Sequence, residues 1–326
     1  MENLAYLLRQ PDPWIRYRAM LDLVGMPPDE PQVLAARAEM LAHPQIRGLL
    51  AELQGWPGTV LNSHKSAGQL YHKLSFLADL GLTGTDDGLG DVLDRILAHL
   101  SAEGVPRLPT AVPVHFGGDG QEHWAWALCD APRQLDILCR MGRGSRPEVQ
   151  AGLEHLRGLV RENGWPCAVS SELGKFRGPG RKDDPCPYAT LLMTALLLRL
   201  PDWCDSPPAR AGVESLLSRW QHSREEHPFQ FYMGTDFRKL KAPLVWYDIL
   251  HVADVLSLSP MARADSRFAD MLAVINAKAG PDGLFTPESV WQAWNGWEFA
   301  QKKQASPWLT FLVWRINRRL ADKPGL

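Results

Sequence analysis

The sequence predicts an all-α protein built of helices in two concentric layers. Three observations lead there. No long segment alternates apolar and polar residues with period two, so no extended sheet is expected. Strongly apolar helical stretches alternate with amphipathic ones, which suits inner helices buried on several sides and outer helices wet on one. A loose unit of about fifty to sixty residues, a Gly/Pro-rich loop followed by an apolar helix, recurs along the chain, as in closed or solenoidal helical arrays.

In chain order, Tyr17–Leu23 reads as the first apolar helix and residues 31–53 as its amphipathic companion. Gln69–Leu80 is then apolar and Leu89–Leu100 amphipathic. Residues 122–140 are read as one apolar helix with His123 at its start, followed by amphipathic Pro147–Asn163, where Val149, Leu153, Leu156 and Val160 fall three and four apart. Tyr188–Leu200 carries the longest apolar run, and Ala209–Ser223 follows it. Tyr247–Leu256, Ser266–Ala279 and Pro307–Leu320 complete the alternation. Gly55-Trp56-Pro57, Asn163-Gly164-Trp165-Pro166 and Asp282-Gly283-Leu284-Phe285 mark the loops. No composition break suggests a flexible linker, so residues 1–326 are expected to form a single domain.

The 326 residues are 45% hydrophobic, enough for a substantial core, and the formal net charge of −2 gives no general reason to expect nucleic acid or a membrane surface. Leu191–Leu198 is far too short to span a bilayer. The first residues have no basic flank or long apolar run, and the five cysteines have no framework spacing, so a cytoplasmic protein with reduced thiols is expected.

Two short motifs carry the chemistry. Asp184-Pro185-Cys186 opens one apolar helix, and Asp248-Ile249-Leu250-His251 opens another one repeat later. Carboxylate, thiolate and imidazole together suit Zn²⁺ with one coordination position open. The alternative account is a capped helix start, with Cys186 a small buried residue and His251 a satisfied core histidine. Arg177, Arg181, Lys175 and Lys182 lie among glycines before the first motif, and Arg238, Lys239 and Lys241 lie before the second. Cations so placed suit a diphosphate or carboxylate; the alternative is a solvated surface or local ion pairs. His123, after Gly117-Gly118-Asp119-Gly120, is a candidate donor or acid–base group. Trp124, Trp246 and Trp308 either line an apolar cavity or pack in the core. Trp291, Trp294 and Trp297, spaced by three, either pack one face of a short helix or wall a cavity mouth.

These repeats and motifs resemble the α/α toroid of terpenoid cyclases and protein prenyltransferase β-subunits. In the prenyltransferase group, Asp-x-Cys and the His of Asp-x-x-His hold zinc, and a Gly-rich loop leads to a His facing the isoprenoid diphosphate. The resemblance implies an (α/α)6-type toroid with Zn²⁺ on Asp184, Cys186 and His251. It implies His123 and Tyr188 as catalytic residues and Arg177, Arg181, Arg238, Lys241, Trp124, Trp246 and Trp308 as substrate-binding residues. The implied substrate is anionic and partly apolar, an isoprenoid diphosphate being the best guess. Zinc-dependent hydrolysis of another small molecule, or a non-catalytic toroid that binds a ligand or protein, is the alternative. Two departures stand out. Pro187 separates Cys186 from Tyr188, and the Asp-x-Asp-Asp motif of protonation-initiated cyclases is absent.

Overall fold

The computed structural model describes residues 2–176, 178 and 180–321. Fifteen α-helices and one two-stranded ribbon make up the regular structure of these residues. The chain divides into two compact units, residues 1–52 with 235–326, and residues 53–234.

The first segment holds α1 (Glu2–Leu8), α2 (Pro13–Ala19), α3 (Pro31–Ala42) and α4 (Pro44–Leu53). α2 runs on into one π-helical turn at Met20–Val24, which Gly25 ends at φ 79°. The amphipathic stretch expected over residues 31–53 is two helices because Pro44 holds the residue before it, His43, in an extended conformation.

The 53–234 unit contains α5 (Leu70–Leu80), α6 (Leu89–Leu97), β1 (Leu108–Ala111), β2 (Glu122–Ala125), α7 (Ala131–Leu138), α8 (Pro147–Gly158), α9 (Pro187–Leu198) and α10 (Pro207–Gln221). α7 and α9 are buried along their whole length, and α5 along most of it. α6, α8 and α10 bury one face each. α7 packs on α5 and α9; α8 lies against α7, and α10 against α9. The apolar/amphipathic alternation therefore does separate inner from outer helices within this unit. Leu191, Leu196 and Leu197 on α9 are fully buried, each stabilising the fold by roughly 1.5–3 kcal/mol. Asp136 on α7 pairs with Arg140 (3.4 Å) and Arg199 (3.2 Å), and Arg140 reaches Asp79 at the end of α5 (2.8 Å), so ion pairs stitch the inner helices together. α8 sits close to the loop before β1 because both meet there through glycine. A Cβ on Gly152 would lie 2.2 Å from the Gly104 carbonyl oxygen, and one on Gly104 2.1 Å from that of Glu148.

The ribbon corrects the sequence reading. No continuous helix covers residues 122–140, and His123 and Trp124 are not at a helix start. They lie on β2, antiparallel to β1 with Thr110 opposite His123. The reason is Pro132: inside a longer helix it would lack a donor and strike the carbonyl four residues back, whereas in the first turn of α7 it is tolerated.

The chain then completes the first unit with α11 (Thr235–Arg238), α12 (Ile249–Leu256), α13 (Pro260–Arg263), α14 (Ser266–Asn276) and α15 (Pro307–Ala321). α12 is wholly buried and packs on α14 and α15; α15 also packs on α2. Buried Asp254 accepts from Arg315 (2.8 Å) and Arg319 (3.0 Å), fastening α15 to α12. Trp14, Trp294, Trp297 and Phe299 close on one another with ring centroids 5.2–5.9 Å apart, so Trp294 and Trp297 are core residues. Among the described residues no helix is long and apolar enough to cross a membrane.

Candidate functional site

In the 53–234 unit, three cysteines gather around one extended segment. The Cys186 amide donates to the Trp165 carbonyl (2.7 Å), the Leu128 amide to Ala168 (3.0 Å) and the Ser170 amide to Trp126 (2.9 Å). The segment that carries Cys167 is thus bonded to the backbones beside both Cys129 and Cys186. The Cys129 thiol donates to the Cys186 sulfur. That bond, with the Ala189 and Tyr188 amides at the start of α9, holds the Cys186 thiol below its ordinary value despite burial. The same bond and burial push Cys129 up.

Cys167 faces outward into a cavity of about 720 Å³ lined by Arg161, Lys175, Arg181 and Lys182, with Val169, Phe176 and Phe229 on its apolar side. Among the described residues no carboxylate lines it. The loop that supplies two of these cations is held by its backbone. Arg161 donates to the Lys182 carbonyl (2.8 Å), Asn163 to that of Asp183 (3.0 Å), and the Arg181 amide to Asp184 Oδ2 (3.1 Å). Phe229 enters the cavity wall at φ 54°, followed by Gln230 at φ 60°, a left-handed pair that costs non-glycine residues about 1–3 kcal/mol each. Its ring lies where a Cβ on Gly178 or Gly180 would be, 2.9 and 2.6 Å away. Glycine here lets an aromatic ring approach the basic loop.

A second polar group lies deeper in the same unit. His64 Nε2 donates to Asp130 Oδ2 at 2.8 Å, and Asp130 is 1% exposed. Burial raises the Asp130 carboxyl, and His64 opposes that rise. The His64 carbonyl accepts from the Tyr71 hydroxyl (3.2 Å) and His72 Nε2 (3.0 Å), so α5 fixes the histidine's backbone. A buried carboxylate orienting a partly exposed imidazole is the arrangement that serves general acid–base work.

In the other unit, the Asp-x-x-His motif is a helix cap. Asp248 Oδ1 accepts the His251 amide (3.0 Å), and His251 Nδ1 donates to the Trp246 carbonyl (2.8 Å), which leaves the lone pair on Nε2. Burial pushes Asp248 up to about 6, against the pull of Lys241. Lys241 is itself buried, with its ammonium 4.8 Å from the centroid of Trp291.

The remaining expected residues are placed as follows. Tyr188 is fully buried on α9, its hydroxyl pushed up to about 12 by burial, with Arg133 beside it opposing. His123 bonds Asp119 (2.8 Å) and lines a separate cavity of about 210 Å³ with Asp119 and Glu172. Trp124 stacks on His99 at 3.6 Å. Trp308 is buried and stacked on Phe311, Trp246 is half-buried, and Arg238 is half-buried at the end of α11. Arg177 lies outside the described residues. Among the described residues no group of three or more His, Cys, Asp or Glu side chains is arranged to hold a metal ion. Asp184 and Cys186 each engage a neighbour in their own unit.

No family model matches the chain, and no curated protein matches it. A solved structure of a protein from Actinoplanes matches 98% of this chain and 97% of its own, at 16% identity and a TM-score of 0.45.

In sequence, Cys129 and Asp130 follow His123 at short range, which makes that histidine their nearest imidazole along the chain. The structure pairs Asp130 with His64 instead, 66 residues away. The only sequence-level hint was the Cys-Asp dipeptide before an apolar helix.

Proposed function

We propose that this chain binds an anionic, partly apolar small molecule in the basic cavity of the 53–234 unit, with an isoprenoid diphosphate as the leading substrate class. One observation carries the reading: four cations and two phenylalanine rings share one cavity wall that holds no carboxylate among the described residues. Cations there lower the energy of a bound phosphate, and the rings cover an apolar chain. The proposal extends the buried and half-buried helices of each unit to a closed toroid of two concentric layers. It also keeps Zn²⁺ on Asp184 and Cys186, supported by the lowered Cys186 thiol. When bound, zinc would activate a thiol or a water; this chain's own cations would hold the anion and stabilise a departing diphosphate.

The test is thermal. Pyrophosphate, and more strongly a prenyl diphosphate, is expected to raise the Tm of the full chain, by about 2.7 kcal/mol of stabilisation at a hundredfold excess over Kd. Arg181→Ala should lose most of that shift, while exposed Arg47→Ala should keep it. Equal shifts in the two variants overturn the assignment. Elemental analysis of wild type and Cys186→Ala tests the metal separately: about one zinc per chain that disappears in the variant is expected. Release of pyrophosphate from a prenyl diphosphate separates an enzyme from a binding protein.

A further inference from the structure

Among the described residues of the 53–234 unit, the exposed large apolar side chains are Val114 (71% exposed), Phe116 (53%) and Tyr232 (64%). Single exposed apolar residues are ordinary on a protein surface, but these three all border the basic loop. Val114 and Phe116 form the tip of a tight turn, and no acidic residue lies between Val112 and Gly118. The turn is closed by its own backbone. The Phe116 and Gly118 amides donate to the Pro113 carbonyl (2.9 and 3.4 Å), and the Gly120 amide to that of Val112 (3.0 Å). Gly118 permits this closure, since a Cβ there would lie 2.1 Å from the Val112 carbonyl oxygen. Beneath the tip, Val112 joins a buried cluster with Ala125 and Leu173, and Val169 and Phe176 pack against it. Those last two also line the basic cavity, so tip and cavity share one footing. The tip abuts the basic loop as well: a Cβ on Gly117 would lie 3.6 Å from the Lys175 carbonyl oxygen. Further along that loop, Phe229 packs on Gly178 and Gly180, and the turn after it carries Tyr232, tilted on His227 with ring centroids 4.5 Å apart. Lys175, Arg181 and Lys182 are exposed and line the cavity, which therefore opens to solvent beside these rings. Of the carboxylates around the loop, Asp119 is held by His123 (2.8 Å), Glu172 by Arg107 (3.7 Å) and Asp184 by the Arg181 amide (3.1 Å), while Asp183 stays exposed.

We propose that this face of the 53–234 unit seats on an anionic phospholipid bilayer. Val114, Phe116 and Tyr232 enter the boundary between headgroups and acyl chains, and Lys175 and Lys182 meet lipid phosphates. Both signals are needed, because a few apolar side chains or a few cations alone hold a protein on a bilayer only weakly. Tyrosine suits the boundary, its ring in the apolar layer and its hydroxyl in water. The proposal rests on the reading of the cavity as a site for an anionic amphiphile. Seated this way, the cavity opens onto the phase in which such a molecule dissolves.

The experiment floats the full-length protein with vesicles on a density gradient, with no other ligand added. Vesicles of phosphatidylcholine and phosphatidylglycerol in equal parts are the probe, and pure phosphatidylcholine vesicles the comparison. The protein is expected to float with the mixed vesicles and to stay below the neutral ones. Val114→Ser combined with Phe116→Ser should lower the ratio of bound to free protein at least about tenfold, because two large side chains no longer leave water. Leu34→Ser, at an exposed position of the other unit, should leave that ratio unchanged. Far-UV circular dichroism reports the fold of each variant. A wild type that stays below the mixed vesicles yet gains Tm with pyrophosphate overturns the bilayer seat and leaves the cavity reading standing. Flotation that is unchanged in the folded double variant, or equal with both kinds of vesicle, overturns it too. So does a wild type that fails to float and is dimeric by light scattering, with the double variant monomeric, since a second copy of the chain then covers the tip.

Discussion

Replacing Glu298 with glutamine should make the unit formed by residues 1–52 and 235–326 more stable at alkaline pH and less sensitive to pH. Glu298 Oε1 accepts the Trp308 amide at 2.9 Å, while its buried Oε2 has no hydrogen-bond partner. Burial pushes the carboxyl from 4.5 up to about 7, assisted by Asp12 and opposed by the Ser306 hydroxyl and the Trp308 amide. The folded chain therefore holds this proton more tightly than the unfolded chain. Across the window from 4.5 to about 7 the unfolded state binds fewer protons, so stability is greatest at the acid end and falls as pH rises. Integrated between about pH 5 and pH 8, a shift of that size removes about 2.5 kcal/mol. Glutamine keeps the oxygen that Trp308 needs and cannot ionise. Urea titrations followed by tryptophan fluorescence suit the measurement, because Trp14, Trp294 and Trp297 pack together in this unit. The wild-type loss between the two pH values should exceed that of Glu298→Gln by about 2.5 kcal/mol. Parallel pH dependences in the two proteins would refute the reasoning.

Three further outcomes follow from the same physical arguments. Asp130→Ala should lower stability by about 3 kcal/mol in chemical denaturation, because it strips a buried partner from His64; a loss near that of a surface substitution would deny the pair its structural weight. Gly152→Ala should cost more than about 2 kcal/mol, since its new Cβ meets backbone that cannot yield. Gly158→Ala on the same helix, with nothing within 4 Å, should be neutral or mildly stabilising in the same thermal melt.

The helices were legible because burial imposes periodicity. α9 is buried on every side and reads as an unbroken apolar run, while α8 shows its core face at Val149, Leu153 and Leu156. The ribbon was not legible. Four residues per strand are too few to show alternation, and Glu122–Ala125 directly precedes residues that do form a helix. The cations of the basic loop were visible as a charge cluster, and Arg181 and Lys182 do share a cavity wall with Lys175. Lys241 looked equivalent in sequence, but its burial over Trp291 depends on a loop that returns fifty residues later. His64 escaped notice for the same reason, since its partner Asp130 is brought to it only by the packing of α5 on α7.

One unit is continuous in sequence and the other is not, and this sets an order of events during synthesis. α2 packs on α15, whose first residue is Pro307. At about 5–20 residues per second, roughly 14–58 s separate the emergence of these two partners from the ribosome. The whole of residues 53–234 is made within that interval and can collapse on its own helices. The amino-terminal helices must wait, with Trp14 and Ile15, buried in the finished protein, still exposed to the cell. A nascent chain stalled before Pro307 is therefore expected to present α2 as a chaperone-binding segment, and completion of α15 to withdraw it.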